Sequence, residues 1–224
     1  MPTVTLQPVE ARAIDTWVQD GASTDRSTHA TMRVGKNSAD KESRILLDFS
    51  LTQVLAKTLR AKEISSVTLT LNHASDFNFN SSHTKTLNVA VVDGSFTENA
   101  TWAYRDGSST AWTSAGGDVL VAPGSQAITY TGDSDLVITS TNPAAGNLLG
   151  QVRDAISNRG FSLRLRISMT ITSPNRYTQF HSASATTESD RPKLDITYSR
   201  KRIQTPMKSY SNKPSNMRRP RSSR

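Results

Sequence analysis

Glu42–Leu51, ESRILLDFSL, is the stretch whose reading decides the fold. Ile45, Leu47 and Phe49 alternate with Leu46 and Asp48, the period of two shown by a half-buried strand. This strand is expected at the centre of the core. Ser50 then opens the pattern S-x-x-Q with Gln53, a capping box that predicts a helix over 51–60 with Leu51, Val54, Leu55 and Leu59 on one face. Arg44, just before the apolar run, reads as a solvated or ion-paired edge residue, because charged side chains are rarely buried without a partner.

Working outward, the same period recurs in short runs. Towards the N-terminus, Val4, Leu6, Ile14, Trp17 and Val18 mark a strand or strand pair over 3–18, and a short strand at 31–34 ends at Gly35. Towards the C-terminus, strands are expected at 64–71, 87–92, 118–121, 126–130, 134–139, 161–171, 177–182 and 193–198. Asp93-Gly94 is a turn signal after LNVAVV. The stretches 20–29, 72–84 (with Phe77 and Phe79) and 95–117 (with Trp102 and Trp112) read as loops. Asn147 is placed to cap a helix through Leu148, Leu149, Val152 and Ile156 that stops at Asn158-Arg159-Gly160. Many short strands, polar loops and one or two short helices make an all-β sandwich.

Charge divides the chain in two. The net charge is +8, yet residues 200–224 carry nine basic side chains and no acid. Removing those nine from the 27 basic residues leaves 18 against 19 acidic ones in 1–199. The body is balanced and the basic character belongs to a tail, so the charge gives no reason to expect a nucleic-acid-binding body. The chain has no cysteine, which removes disulfides and thiolate chemistry. The N-terminal segment MPTVTLQPVEARAIDTW lacks the basic stretch and apolar core of a secretory signal, and no apolar run approaches bilayer length. The expectation is a protein made in a cytoplasm and not bound to a membrane.

Several segments in order resemble one family. These are DTWV (Asp15–Val18), TMRVG (Thr31–Gly35), SRILLDFSL (Ser43–Leu51), ISSVTLTL (Ile64–Leu71), ENATW (Glu98–Trp102), the loop with Trp112, GGD (Gly116–Asp118) and RPKLDITY (Arg191–Tyr198). Together they resemble the DNRLRE domain family over about residues 10–198. The resemblance implies a jelly-roll-like antiparallel β-sandwich related to carbohydrate-binding modules. A domain of this type, here without an export signal and with a basic tail outside the family pattern, resembles the phage structural proteins that reuse such sandwiches. Phage particles assemble in a host cytoplasm and leave by lysis. The implied location is therefore the virion.

The chemical inventory is thin for an enzyme. His29, His73, His83 and His181 are scattered, and there is no H-E-x-x-H, nucleophile elbow or phosphate-binding glycine loop. Trp102, Tyr104 and Trp112 are the candidates for stacking on a sugar, although an aromatic ring of this size also plugs a sandwich end, a role that suits Trp102 better than Trp112 with its Ser, Thr and Ala neighbours. Asp15, Asp20, Asp25, Asp40 and Asp48 are oxygen ligands that calcium favours, in no EF-hand spacing. No other cofactor is expected.

The body is thus residues 1–199 and the arm residues 200–224. In the arm the cations Arg200, Lys201, Arg202, Lys208, Lys213, Arg218, Arg219, Arg221 and Arg224 are interleaved with Ile203, Pro206, Met207, Tyr210, Pro214 and Met217. Such a segment builds no core of its own and gains order on a partner. The expected function is a non-enzymatic virion protein in many copies, a capsid decoration or cement protein or a neck, collar or fibre component. The arm would bind capsid or other virion proteins, through Ile203, Met207, Tyr210 and Met217 as anchors. The alternative is a carbohydrate-binding module or host-surface adhesin. Nucleic acid is the least favoured partner, because unscaffolded cations bind any polyanion.

Overall fold

A computed structural model describes residues 1–7, 14–24, 26–56, 60–79, 83–121, 124–131, 133–171 and 175–199. The strands are β1 Thr3–Leu6, β2 Ile14–Gln19, β3 Thr31–Lys36, β4 Glu42–Ser50, β5 Ile64–Leu71, β6 His73–Phe77, β7 Thr84–Val91, β8 Ser125–Thr131, β9 Leu136–Ser140, β10 Ser162–Thr170, β11 Arg176–His181 and β12 Lys193–Tyr198. Two α-helices, α1 Thr52–Ala56 and α2 Leu148–Asn158, and two short 3-10 turns complete the elements. Among the described residues every strand pairing is antiparallel. The expected all-β sandwich is what the chain forms: a four-stranded sheet ordered β1-β12-β5-β9 faces a curled eight-stranded sheet.

The expected central strand is central. β4 carries β2 along one edge over Ser43–Asp48 and β10 along the other over Ile45–Ser50. Ile45, Leu47 and Phe49 face the main core with Trp17, Leu163, Leu165 and Ile167, and the inner face of the smaller sheet adds Val67, Leu69, Leu194 and Ile196. Leu46 is as buried as Leu47 but on the opposite face, in a second cluster with Val18, Val92, Phe96, Ala100 and Trp112. The doubled leucine of ESRILLDFSL therefore serves two cores, one on each side of the sheet.

The larger sheet forks at β4. Ser43 pairs with Gln19 of β2 on one edge, so its pairing with Gly35 of β3 lies on the other, the edge that β10 occupies from Ile45 onward. One branch continues β10-β7-β8 and the other β3-β11-β6. Gly35 makes the second branch fit: a Cβ there would lie 2.4 Å from the Arg176 carbonyl oxygen, and its φ is +129°.

Two expectations about strands and loops are corrected. The segment 72–84, read as loop, contains β6, which pairs with β11 from Phe77↔Tyr177 to Phe180↔His73. Phe77 of that strand stacks on Tyr177 with ring centroids 4.9 Å apart. The segment 118–121 forms no strand, only the isolated bridge Val92↔Val119. The helix after β4 runs over Thr52–Ala56, and residues 57–59 lie outside the described residues. Helix α2 sits where expected, and its buried Leu148, Leu149, Val152, Ala155 and Ile156 close one end of the core. Asn147 precedes it without a side-chain cap; Gln126 Oε1 accepts from the Leu148 N–H at 2.8 Å instead.

Candidate functional site

The stretch between β7 and β8 folds over the outer face of the larger sheet, and two aspartates shape it. Asp106 accepts from the N–H groups of Ser108, Ser109 and Thr110 and from the hydroxyls of Ser109 and Thr110. The Ser109 hydroxyl and the backbone N–H of Thr110, with their neighbours, hold its carboxyl far below the usual carboxylate range. Asp118 accepts from the Thr113 and Ser114 N–H groups and pairs with Arg105 Nη2 at 2.6 Å. Burial alone would raise the Asp118 carboxyl, but the Ser114 and Thr113 donors and the Arg105 charge together bring it below its ordinary value.

The two loop tryptophans part company in this frame. Trp112 is 6% exposed, tilts against Phe96 and lies under the Arg105 guanidinium. Its indole N–H donates to the Thr101 carbonyl at 2.9 Å. Its ring is spent on the second core, so it presents no stacking face to a ligand. Trp102 is half-buried at the loop edge, with the Arg44 guanidinium 4.7 Å from its ring centroid. A Cβ on Gly116, whose φ is +83°, would lie 2.7 Å from that ring. Arg44 is ion-paired, as expected: Nε and Nη2 donate to Glu42, and Nη1 reaches the Ala115 and Gly116 carbonyls at 3.3 Å each.

Trp102 and Tyr104 line an open cleft of about 350 Å³ together with Asp20, Ser23, Thr101 and Gly107. Tyr104 is 38% exposed. Two aromatic side chains beside a carboxylate and hydroxyls suit a ligand that is apolar on its faces and polar at its rim. Sequence reasoning selected these two rings, but nothing in the local pattern signalled that Asp20 and Ser23, some eighty residues earlier, share their cleft.

The remaining candidates lie apart. Asp15 is buried and accepts from the Ala183 N–H, Asp20 pairs with Lys41, Asp40 with Lys36, and Asp48 with Arg164 and Ser162. Asp25 lies outside the described residues. Among the described residues no three His, Cys, Asp or Glu side chains are gathered to hold a metal ion. No described helix is long and apolar enough to cross a membrane. The arm residues Arg200–Arg224 lie outside the described residues. No family model matches the chain, and no curated protein is significantly similar to it.

Proposed function

We propose that the protein is a non-enzymatic structural component of a phage virion, a decoration or cement protein held to neighbouring subunits by its arm. The observation that carries this reading is the charge partition. A balanced sandwich, whose sheets use residues up to Tyr198, is followed by 25 residues with nine cations and no acid. Spread over a partner, such a segment contacts more surface than a compact patch does. Exposed ion pairs contribute about 0–1 kcal/mol each, so the apolar anchors matter more than any one charge.

The test adds variants to particles that lack the protein and counts bound copies after sedimentation. Deletion of 200–224 is expected to abolish occupancy. Replacing Ile203, Met207, Tyr210 and Met217 by Ser is expected to do the same with every cation kept, and a single Arg→Gln to leave occupancy unchanged. Full occupancy by the tail-less body would move the interface onto the sandwich.

The Trp102–Tyr104 cleft favours a second reading, a host-surface adhesin that binds glycans. Flat rings stack on the apolar face of a pyranose, and the nearby Asp20 and Ser23 offer acceptors for its hydroxyls. A glycan array probed with wild type and Trp102→Ala decides this: binding lost in the variant supports the adhesin, and no binding by either rejects it.

A further inference from the structure

The mouth of the fork in the larger sheet holds the most buried ion pair among the described residues. Lys85 of β7 points inward, in alternation with the core residues Leu87, Val89 and Val91. Its side chain is 0% exposed and its Nζ contacts Oδ2 of Asp76 on β6, whose side chain is 6% exposed. Asp76 lies opposite Thr178 of β11, whose hydroxyl donates to Oδ1 at 2.6 Å. His73 Nε2 lies 3.3 Å from the same oxygen, out of hydrogen-bonding geometry. The Phe79 ring centroid is 5.0 Å from Nζ. The carboxyl of the exposed Asp133 is a further neighbour of the Asp76 carboxyl.

A charged lysine and aspartate enclosed this way gain little stability over apolar residues of the same size, because both must be desolvated. The other lysine and arginine ion pairs of the described residues show the contrast: in each, at least one partner is a fifth exposed or more. The geometry also points to chemistry. Lys85 Nζ and the Asp76 carboxyl are held together by β7 and β6, and Asp133, on the turn between β8 and β9, stands beside that carboxyl.

We propose that Lys85 and Asp76 become joined after folding by an intramolecular isopeptide bond, with Asp133 as the proton carrier. Passing one proton from the Lys85 ammonium to the Asp76 carboxylate leaves a neutral amine beside a carboxylic acid. The Lys85 nitrogen lone pair attacks Cγ of Asp76, and the developing oxyanion on Oδ1 receives the Thr178 hydroxyl hydrogen bond. Asp133 takes a proton from the nitrogen and delivers one to the departing oxygen. The C–N bond forms, the C–O bond breaks, and amine plus acid become a secondary amide and one water. No oxidant, nucleotide or metal is consumed. Positioning of this kind is worth effective concentrations of about 10⁵–10⁸ M, and the product removes two buried charges.

The position of the bond gives it a purpose. β6 is a five-residue edge strand paired to β11 alone, with a register shift at Gln179/Phe180. The two branches of the fork part at β4, and among the described residues no strand pairing joins β6 to β7. A covalent link from Asp76 to Lys85 would staple the outermost strand of one branch to the other. This inference is independent of what the body or the arm binds.

Intact mass of the purified full-length protein, measured under denaturing conditions, is the test. The expected mass is one water lighter than the sequence requires, and Lys85→Met is expected to show its full mass. Trypsin is expected to leave Glu63–Arg105 uncut at Lys85 and one water light. Chymotrypsin, cutting after Phe77 or Phe79, is then expected to leave the two halves joined. Asp133→Asn, at an exposed position, is expected to fold and to accumulate the unlinked form. A full wild-type mass with Lys85 open to trypsin overturns the proposal, as does a water loss that maps to Asp93-Gly94 or Asp106-Gly107. Complete linkage in Asp133→Asn overturns the role given to Asp133.

Discussion

Trp112→Ala is expected to lower the stability of the body by about 3–5 kcal/mol, the range for truncating a large aromatic in a core. The loss has two parts. The ring fills a cluster that otherwise holds only Val18, Leu46, Val92, Phe96 and Ala100, with the partly buried Ile14 and Trp102 against it, so few neighbours can close the cavity. The Thr101 carbonyl also loses its indole donor. Denaturant melts of the variant measure the effect, with Trp102→Ala as the comparison. Trp102 is half-buried over a cleft, and its truncation is expected to cost much less. A shift below about 1 kcal/mol for Trp112→Ala would show that the loop is not fastened by its second core.

Asp15→Asn is expected to stabilise the protein at neutral pH and not in acid. Asp15 is buried on β2, and burial pushes its carboxyl up to about 6 from 3.8, against the opposing Ala183 N–H bond. The folded state therefore holds this proton more tightly than the unfolded chain does. Stability from the group is fully present below about pH 4 and is lost as pH rises through about 6, a swing on the order of 3 kcal/mol. Asparagine keeps an acceptor for Ala183 and carries no charge, though its extra N–H donors cost part of the gain. Melts at about pH 4 and pH 7 are expected to show equal stability in acid and an advantage of about 2 kcal/mol for the variant at neutrality. A wild type that is more stable than the variant at neutral pH would mean the carboxylate has a partner that offsets its burial. Asp76, Asp118 and Asp154 are shifted down and act in the opposite sense. The difference between variant and wild type, rather than either curve alone, isolates Asp15.

How far these features were legible depended on whether the inward side chains were apolar. In β4, β5, β7, β10 and β12 most inward positions carry Ile, Leu, Val, Phe, Met or Tyr, and alternation revealed each strand. β6 escaped because its partner-facing positions carry His73 and Asp76, so a strand without an apolar period looks like a loop. The same substitution of charge for bulk hid the Asp76–Lys85 pair, since Lys85 reads as surface in any hydropathy pattern. The loop tryptophans could be selected by type, but their neighbours ranked them in the wrong order, with Trp102 as the better packed ring. A turn-rich segment has no period, and the contacts that hold Trp112 inward, to Phe96, the Thr101 carbonyl and Arg105, come from residues spread along it. Ser, Thr and Ala around Trp112 suggested an exposed ring, and the chain folds back so that the ring is covered. The cleft joins residues from two distant loops, which no local pattern records.

The pairing of β1 with β12 also sets the timetable of folding. Thr3 and Thr197, whose hydroxyls meet at 3.2 Å, are 194 residues apart in the chain, and β12 lies between β1 and β5. During synthesis β1 has no neighbour until nearly the whole body exists, and the smaller sheet lacks its second member. Val4 and Leu69 share the core with Leu194 and Ile196 of β12, so their burial is completed only once that strand is made. Closing so long a loop late makes the last step slow and leaves an unpaired sheet edge exposed meanwhile. The nascent body is thus most vulnerable to proteases and to self-association just before its final strand docks.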